Sequence, residues 1–110
     1  MKIGIIGYGK MGKAIEKIAI DRGHSISFKT NDFNLNLIKD VDVTIEFSTP
    51  ESAFTNIKNC LDSRVPVVSG TTGWLDDFDD IKRLCDKKNG SLLYASNFSL
   101  GANLFFELNK

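Results

Sequence analysis

The chain has 110 residues, 42% of them hydrophobic, which is enough for one packed core and short for two. Fourteen Lys and Arg balance fourteen Asp and Glu, so no net charge draws it to nucleic acid or to an anionic membrane, and a 25% charged fraction is that of a globular chain rather than a disordered one. No apolar run reaches the ~20 residues that span a bilayer and the apolar stretch after Met1 is too short for a secretory leader, so a cytoplasmic protein is expected.

Apolar runs alternate with helical patterns. Lys2 to Ile6 is a short apolar run ending at a glycine, a buried strand. Met11, Ala14, Ile15, Ile18 and Ala19 then recur at helical spacing, and Gly23 stands where a C-terminal glycine cap belongs. Ser25 to Phe28 reads as a second strand, and the Asn-rich stretch Thr30 to Asn36 as a loop. Val41 to Phe47 is a third strand. Ser48-Thr49-Pro50-Glu51 predicts a helix start, with a hydroxyl cap, proline in the first turn and an early acid. Ala53, Phe54, Ile57, Cys60 and Leu61 form the apolar face of that helix. Val65 to Val68 makes a fourth strand. Acids at 76, 77, 79 and 80 followed by bases at 82, 83, 87 and 88 match a helix macrodipole, with Phe78, Ile81, Leu84 and Cys85 facing inward. Ser91 to Ala95 is a fifth strand, and a new helical pattern opens at Leu100. Such alternation predicts an α/β fold, a doubly wound parallel sheet with right-handed crossovers.

Cys60 and Cys85 lie in the predicted helices, and the single histidine, His24, precedes the second strand. Two cysteines with no CxxC and one His give no zinc ligand set and no disulfide framework, so we expect two small buried thiols and no metal. No nucleophile–base pair can be built, and no catalytic residue is expected in this chain.

Gly7-Tyr8-Gly9-Lys10-Met11-Gly12 is G-x-G-x-x-G between a strand and a helix. The first glycine permits the turn, the second lets backbone approach a pyrophosphate, and the third lets helix and strand pack closely. This points to a Rossmann-like dinucleotide site; a turn needed only for packing, or a glycine-rich loop for adenosylmethionine, remains open at this stage. The acid that usually holds the adenine ribose is missing from the end of the second strand, where Phe28-Lys29-Thr30-Asn31-Asp32 stands. Lys29 is placed to meet a 2′-phosphate, or is a solvated surface lysine, which suggests loose discrimination or a tilt towards NADP. Three further segments leave strand ends: Phe47-Ser48-Thr49-Pro50, Ser69-Gly70-Thr71-Thr72-Gly73 and Ala95-Ser96-Asn97-Phe98-Ser99. Two glycines and two threonines in five residues suggest close backbone approach with hydroxyl donors, whereas Asn97-Phe98-Ser99 serves equally as a helix lead-in.

Taken together, Gly7 to Gly12, Glu46-Phe47-Ser48, Gly70-Thr71-Thr72-Gly73 and Ser96-Asn97-Phe98-Ser99-Leu100-Gly101-Ala102-Asn103 resemble the N-terminal half of the 4-hydroxy-tetrahydrodipicolinate reductases, also called dihydrodipicolinate reductases, over essentially the whole chain. The resemblance implies that Gly7, Tyr8, Gly9, Lys10, Met11 and Gly12 hold a cofactor pyrophosphate. It also implies that Gly70, Thr71 and Thr72 run along the nicotinamide half beside Ser48, and that Ala95, Ser96, Asn97 and Phe98 close the pocket. The cofactor implied is NADH or NADPH. The reaction implied is reduction of a small dicarboxylate in diaminopimelate and lysine biosynthesis, by enzymes that are homo-oligomers at full length. Two departures stand out. The glycine loop is one residue shorter than the family's longer form. The family's second domain, with a His-His pair, a lysine and a D-x-P-S-G-T segment that bind the dicarboxylate and donate the proton, has no counterpart here. Residues 1–110 are therefore expected to be one NAD(P)-binding domain, with about the last ten beginning a connection to that second domain. Other readings are the cofactor domain of an aspartate-semialdehyde or homoserine dehydrogenase, or a non-catalytic nucleotide-sensing module.

Overall fold

Five strands and three α-helices alternate along residues 1–71 and 73–94, the part of the chain that the computed structural model describes. In chain order they are β1 (Lys2–Ile6), α1 (Lys10–Asp21), β2 (Ser25–Thr30), β3 (Val43–Glu46), α2 (Pro50–Asp62), β4 (Val67–Ser69), α3 (Phe78–Lys87) and β5 (Leu92–Tyr94). All pairings are parallel and the strand order is β2-β1-β3-β4-β5. After β2 the chain crosses back past β1, and every later strand is added outward from there. The direction of growth thus reverses between β1 and β3. The crevice at their C-terminal ends is where sheets of this kind bind ligands.

Side-chain alternation along the strands builds one core on each face. On one face Ile15 and Ala19 of α1 cover Ile3, Ile5, Val43, Ile45 and Val68. On the other, Ala53, Ile57, Cys60 and Leu61 of α2 and Ile81 of α3 cover Ile6 and Val67, with Trp74 among them. Each of the fully buried Ile, Leu and Val side chains among these contributes about 1.5–3 kcal/mol. Cys60 is deep in this layer, where burial pushes its thiol up to about 12; Cys85 is half-buried, and both cysteines are free. Helix α1 ends as its glycine predicts: Gly23 has φ +86°, and His24 N–H donates to Ala19 O at 3.0 Å.

Several expectations shift. Strand β2 runs two residues beyond Phe28, and its register with β1 skips at Ser27, since Ile3 faces Ile26 while Gly4 faces Phe28. This bulge sends Ile26 to the α1 face and Phe28 to the α2 face, where the Phe28 ring lies over Gly4 and leaves no room for a side chain there. Strand β4 starts at Val67 rather than Val65, because Pro66 has no N–H and Val65 N–H closes the end of α2 on Cys60 O. Thr49 is the N-cap of α2, yet its hydroxyl donates to the Ser52 hydroxyl rather than capping backbone. The stretch read as a loop holds a 3₁₀ turn, Leu35–Leu37, capped by the Asn34 side chain. Phe78, expected inward, is 42% exposed and stacks on Trp74. Ala14 is exposed as well, and lines the crevice instead of the core.

Thr72, the segment Ala95-Ser96-Asn97-Phe98 and the helix expected from Leu100 lie outside the described residues. Among the described residues no helix is long and apolar enough to cross a membrane, and no His, Cys, Asp and Glu cluster suits a metal ion. His24 sits at the far end of the sheet from the crevice, its Nδ1 2.9 Å from the N-terminal ammonium. Burial first, then that ammonium and Arg22, lower its pKa.

Candidate functional site

The three glycines of the first loop meet three different constraints. Gly7 has φ +97°, and a Cβ there would overlap the Phe47 carbonyl, so only glycine lets the β1 turn sit against the β3 turn. A Cβ on Gly12 would run into Gly7 O, so this glycine allows α1 to lie close to the strand it follows. Gly9 differs from both, because a Cβ there would have no atom within 4 Å. Nothing inside the described protein requires a glycine at 9, and its backbone faces open space at the N-cap of α1. No side chain caps this end of the helix. Free N–H groups pointing into an open cleft suit an anionic ligand. The loop is anchored by Gly7 N–H to Thr30 O at 2.7 Å and by Tyr8 N–H to Asn31 Oδ1 at 2.7 Å.

Two further strand-end loops complete the rim. Phe47 N–H donates to Ile6 O, and Gly70 N–H to Glu46 O, so the turns after β1, β3 and β4 are bonded in series. Gly73 packs on Pro50 so tightly that a Cβ would collide with its ring. Beneath these turns lies Glu46, with no solvent exposure. Its Oε1 accepts from Ser69 Oγ at 2.6 Å; its Oε2 accepts from Ser48 N–H at 2.9 Å, from Thr71 Oγ1 at 2.8 Å and from Ser48 Oγ. Trp74 Nε1 donates to Ser69 Oγ at 3.0 Å, and Asn56 Nδ2 to Ser48 Oγ at 3.2 Å.

The other end of the crevice is built on a surface ion pair. The bulge in β2 puts Lys29 on the α1 face, where its ammonium lies 2.8 Å from Glu16 Oε2. Tyr8 OH donates to Glu16 Oε1 at 2.6 Å, and the Lys29 ammonium stands 4.9 Å from the centre of the Tyr8 ring. Lys29 foremost, then Tyr8, holds the Glu16 carboxyl below its usual range, and Glu16 in turn raises Lys29.

Two cavities flank the glycine loop. One of about 580 Å³ is lined by Gly9, Lys10, Met11, Ala14 and Phe47. The other, about 270 Å³, lies between Asn31, Asp32 and Phe33 after β2 and Glu51 and Asn56 of α2. Of the residues singled out from the sequence, Gly7 to Gly12, Lys29, Ser48, Gly70 and Thr71 gather on this one edge of the sheet. Thr71 is almost fully buried, and its hydroxyl, expected as a donor towards a ligand, is spent on Glu46. Sequence reasoning passed over Glu46 as the hub and Glu16 as the partner of Lys29. The first carried a signal: an acid inside a β-branched, apolar strand has to find donors. The second carried none, since Glu16 lies 13 residues before Lys29 and its pairing depends on the bulge.

Comparison with known proteins agrees with this architecture. Residues 19–98 match the family model described as dihydrodipicolinate reductase, N-terminus. The chain belongs to the dihydrodipicolinate reductase family. A 4-hydroxy-tetrahydrodipicolinate reductase from Christiangramia forsetii is 50% identical across the whole of this chain and 47% of its own length. One from Neisseria meningitidis is 31% identical over 84% of this chain and 36% of its own. The chain thus spans less than half the length of these reductases. In three dimensions, a hyperthermophilic archaeal homoserine dehydrogenase in complex with NADPH superposes with a TM-score of 0.67 and 16% identity, covering 84% of this chain and 43% of that one. At that identity the likeness is one of fold.

Proposed function

We propose that residues 1–110 form the cofactor-binding half of a 4-hydroxy-tetrahydrodipicolinate reductase and bind NADH or NADPH along the crevice between β1 and β3. The observation that carries this reading is Gly9, a glycine with open space where its side chain would be, at the uncapped start of α1. A pyrophosphate fits there on backbone N–H groups of Gly9, Lys10 and Met11. The polar cavity beside Asn31 and Asp32 suits the adenosine, and the larger one against Met11, Ala14 and Phe47 suits the nicotinamide, with Ser48, Gly70, Thr71 and Thr72 proposed to run along that half. Ala95 to Phe98 are proposed to close it. When bound, the dinucleotide supplies the hydride. This chain orients it and excludes water on one side, while the dicarboxylate and the proton donor are met by the part of the family's proteins that this chain does not span. Lys29 already shares its charge with Glu16, which favours loose discrimination between the two cofactors.

Titrating NADH and NADPH calorimetrically tests the reading. Saturable binding by the parent and its loss in Gly9→Val are expected, with the variant keeping a cooperative thermal transition lowered only by the poorer N-cap, since a Cβ there meets no atom within 4 Å. Undiminished binding by the variant would refute the pyrophosphate placement. The 110-residue chain is expected to show no NADPH oxidation with the dicarboxylate substrate. The group it lacks is the general acid, worth roughly 10²–10⁴-fold, beside the positioning of the second reactant.

A further inference from the structure

Glu46 lines neither cavity, yet the turns after β3 and β4 hang from it, and Phe47 in the first of these turns lines the larger cavity, the one proposed for the nicotinamide. We infer that Glu46 is a positioning residue for the nicotinamide half of the cofactor; this rests on the dinucleotide reading. Three features support it. First, its four hydrogen bonds come from two loops and the strand end between them: Ser48 in the turn after β3, Ser69 at the end of β4 and Thr71 in the turn after β4. Thr71 Oγ1 also accepts from Ser48 N–H at 2.9 Å, so the two turns are locked to one another as well as to the carboxyl. Second, the Ser48 peptide is the one against which Gly7 packs: its nitrogen would lie 3.1 Å from a Cβ on Gly7. A shift of Ser48 therefore moves the wall of the cleft relative to the glycine loop. Third, the polarity is one-sided. Ser69 Oγ accepts from Trp74 and Ser48 Oγ accepts from Asn56, so each has its proton free for Glu46. With those protons turned inward, Ser48 and Thr71 meet a ligand with oxygen lone pairs and backbone edges, not as hydroxyl donors.

A carboxyl is the group that accepts from all four. In Glu46→Gln one oxygen becomes an NH₂ that faces donors, and at least one loop hydroxyl loses its acceptor. The experiment compares NADH with ADP-ribose, which keeps the adenosine and pyrophosphate and lacks the nicotinamide. Parent, Glu46→Gln and Thr71→Val are titrated with both ligands by calorimetry, and each variant is checked for a cooperative thermal transition. The expected result is a Kd for NADH raised about tenfold in either variant, with that for ADP-ribose changed less than about twofold. Equal weakening of both ligands, or of neither, overturns the assignment, since a residue that merely holds the fold together would not select the nicotinamide half. A parent that binds ADP-ribose as tightly as NADH overturns it too, while leaving the dinucleotide reading intact. Failure of both variants to fold assigns Glu46 to the core alone. A parent that binds neither ligand refutes the dinucleotide reading itself.

Discussion

Two glutamates hold the two ends of the crevice, and they are held in opposite ways. Glu46 is fully buried and satisfied by four neutral donors, with no ion pair among them. Glu16 is partly buried, its carboxyl paired with the half-exposed Lys29 ammonium and the Tyr8 hydroxyl. The difference is one of solvent. The buried hydroxyls of Ser69 and Thr71 have no water to turn to if they lose Glu46. At Glu16 water still reaches Lys29 and competes for the ion pair, which therefore adds little to the stability of the fold. One carboxyl therefore maintains geometry, and the other adjusts charge where the adenosine is proposed to lie.

The contrast breaks most visibly at Glu46. Replacing it with Ala takes the carboxyl acceptor from the hydroxyls of Ser48, Ser69 and Thr71, and is expected to lower unfolding free energy in urea by about 2–4 kcal/mol. A loss within the error of the measurement would mean that water fills the site and that the network is dispensable. Next comes Glu16→Gln, for which the urea midpoint should move only slightly while cofactor preference changes. Freeing Lys29 is expected to raise affinity for NADPH relative to NADH by about two- to fivefold, the range of an exposed ion pair. An unchanged ratio would place Lys29 away from the ribose 2′ position. The smallest effect is in titration. Glu16 is held below its usual range, so the stabilisation it gives is present above the unfolded carboxylate value of about 4.3 and is lost as pH falls through its lower folded value. Carboxyl NMR should show this low midpoint in the parent and its return towards the unfolded value in Lys29→Met.

Much of this was legible in advance because it is local. The run Lys2 to Ile6, the helical spacing after Gly12, the cap at Gly23 and the charge order of α3 each rest on a few neighbouring residues, and the structure has a strand, a helix, a positive φ and a helix at those places. The glycine loop is legible for the same reason, since turn geometry is a property of the residues that make it. The errors are non-local. Phe78 fits the inward stripe of α3, yet its ring lies half-exposed on Trp74, a residue whose burial depends on Ser69 and Tyr94. Ala14 fits the core stripe of α1, yet it is exposed and lines the crevice beside Met11 and Phe47.

The sequence by itself determined that strands and helices alternate, that the first turn must be glycine-rich, and which faces of α1 and α2 are apolar, for these follow from period and from backbone sterics. Tertiary structure alone decided the rest. It laid β3 on the far side of β1, so that the crevice opens between them. It bulged β2 at Ser27, which carried Lys29 to Glu16. It also gathered Ser48, Ser69 and Thr71, up to 25 residues away along the chain, around Glu46. The physical reason is common to all three. A carboxylate is held in a core where donors from other elements converge on it, and which elements converge is settled by sheet order and register rather than by residues adjacent in the chain.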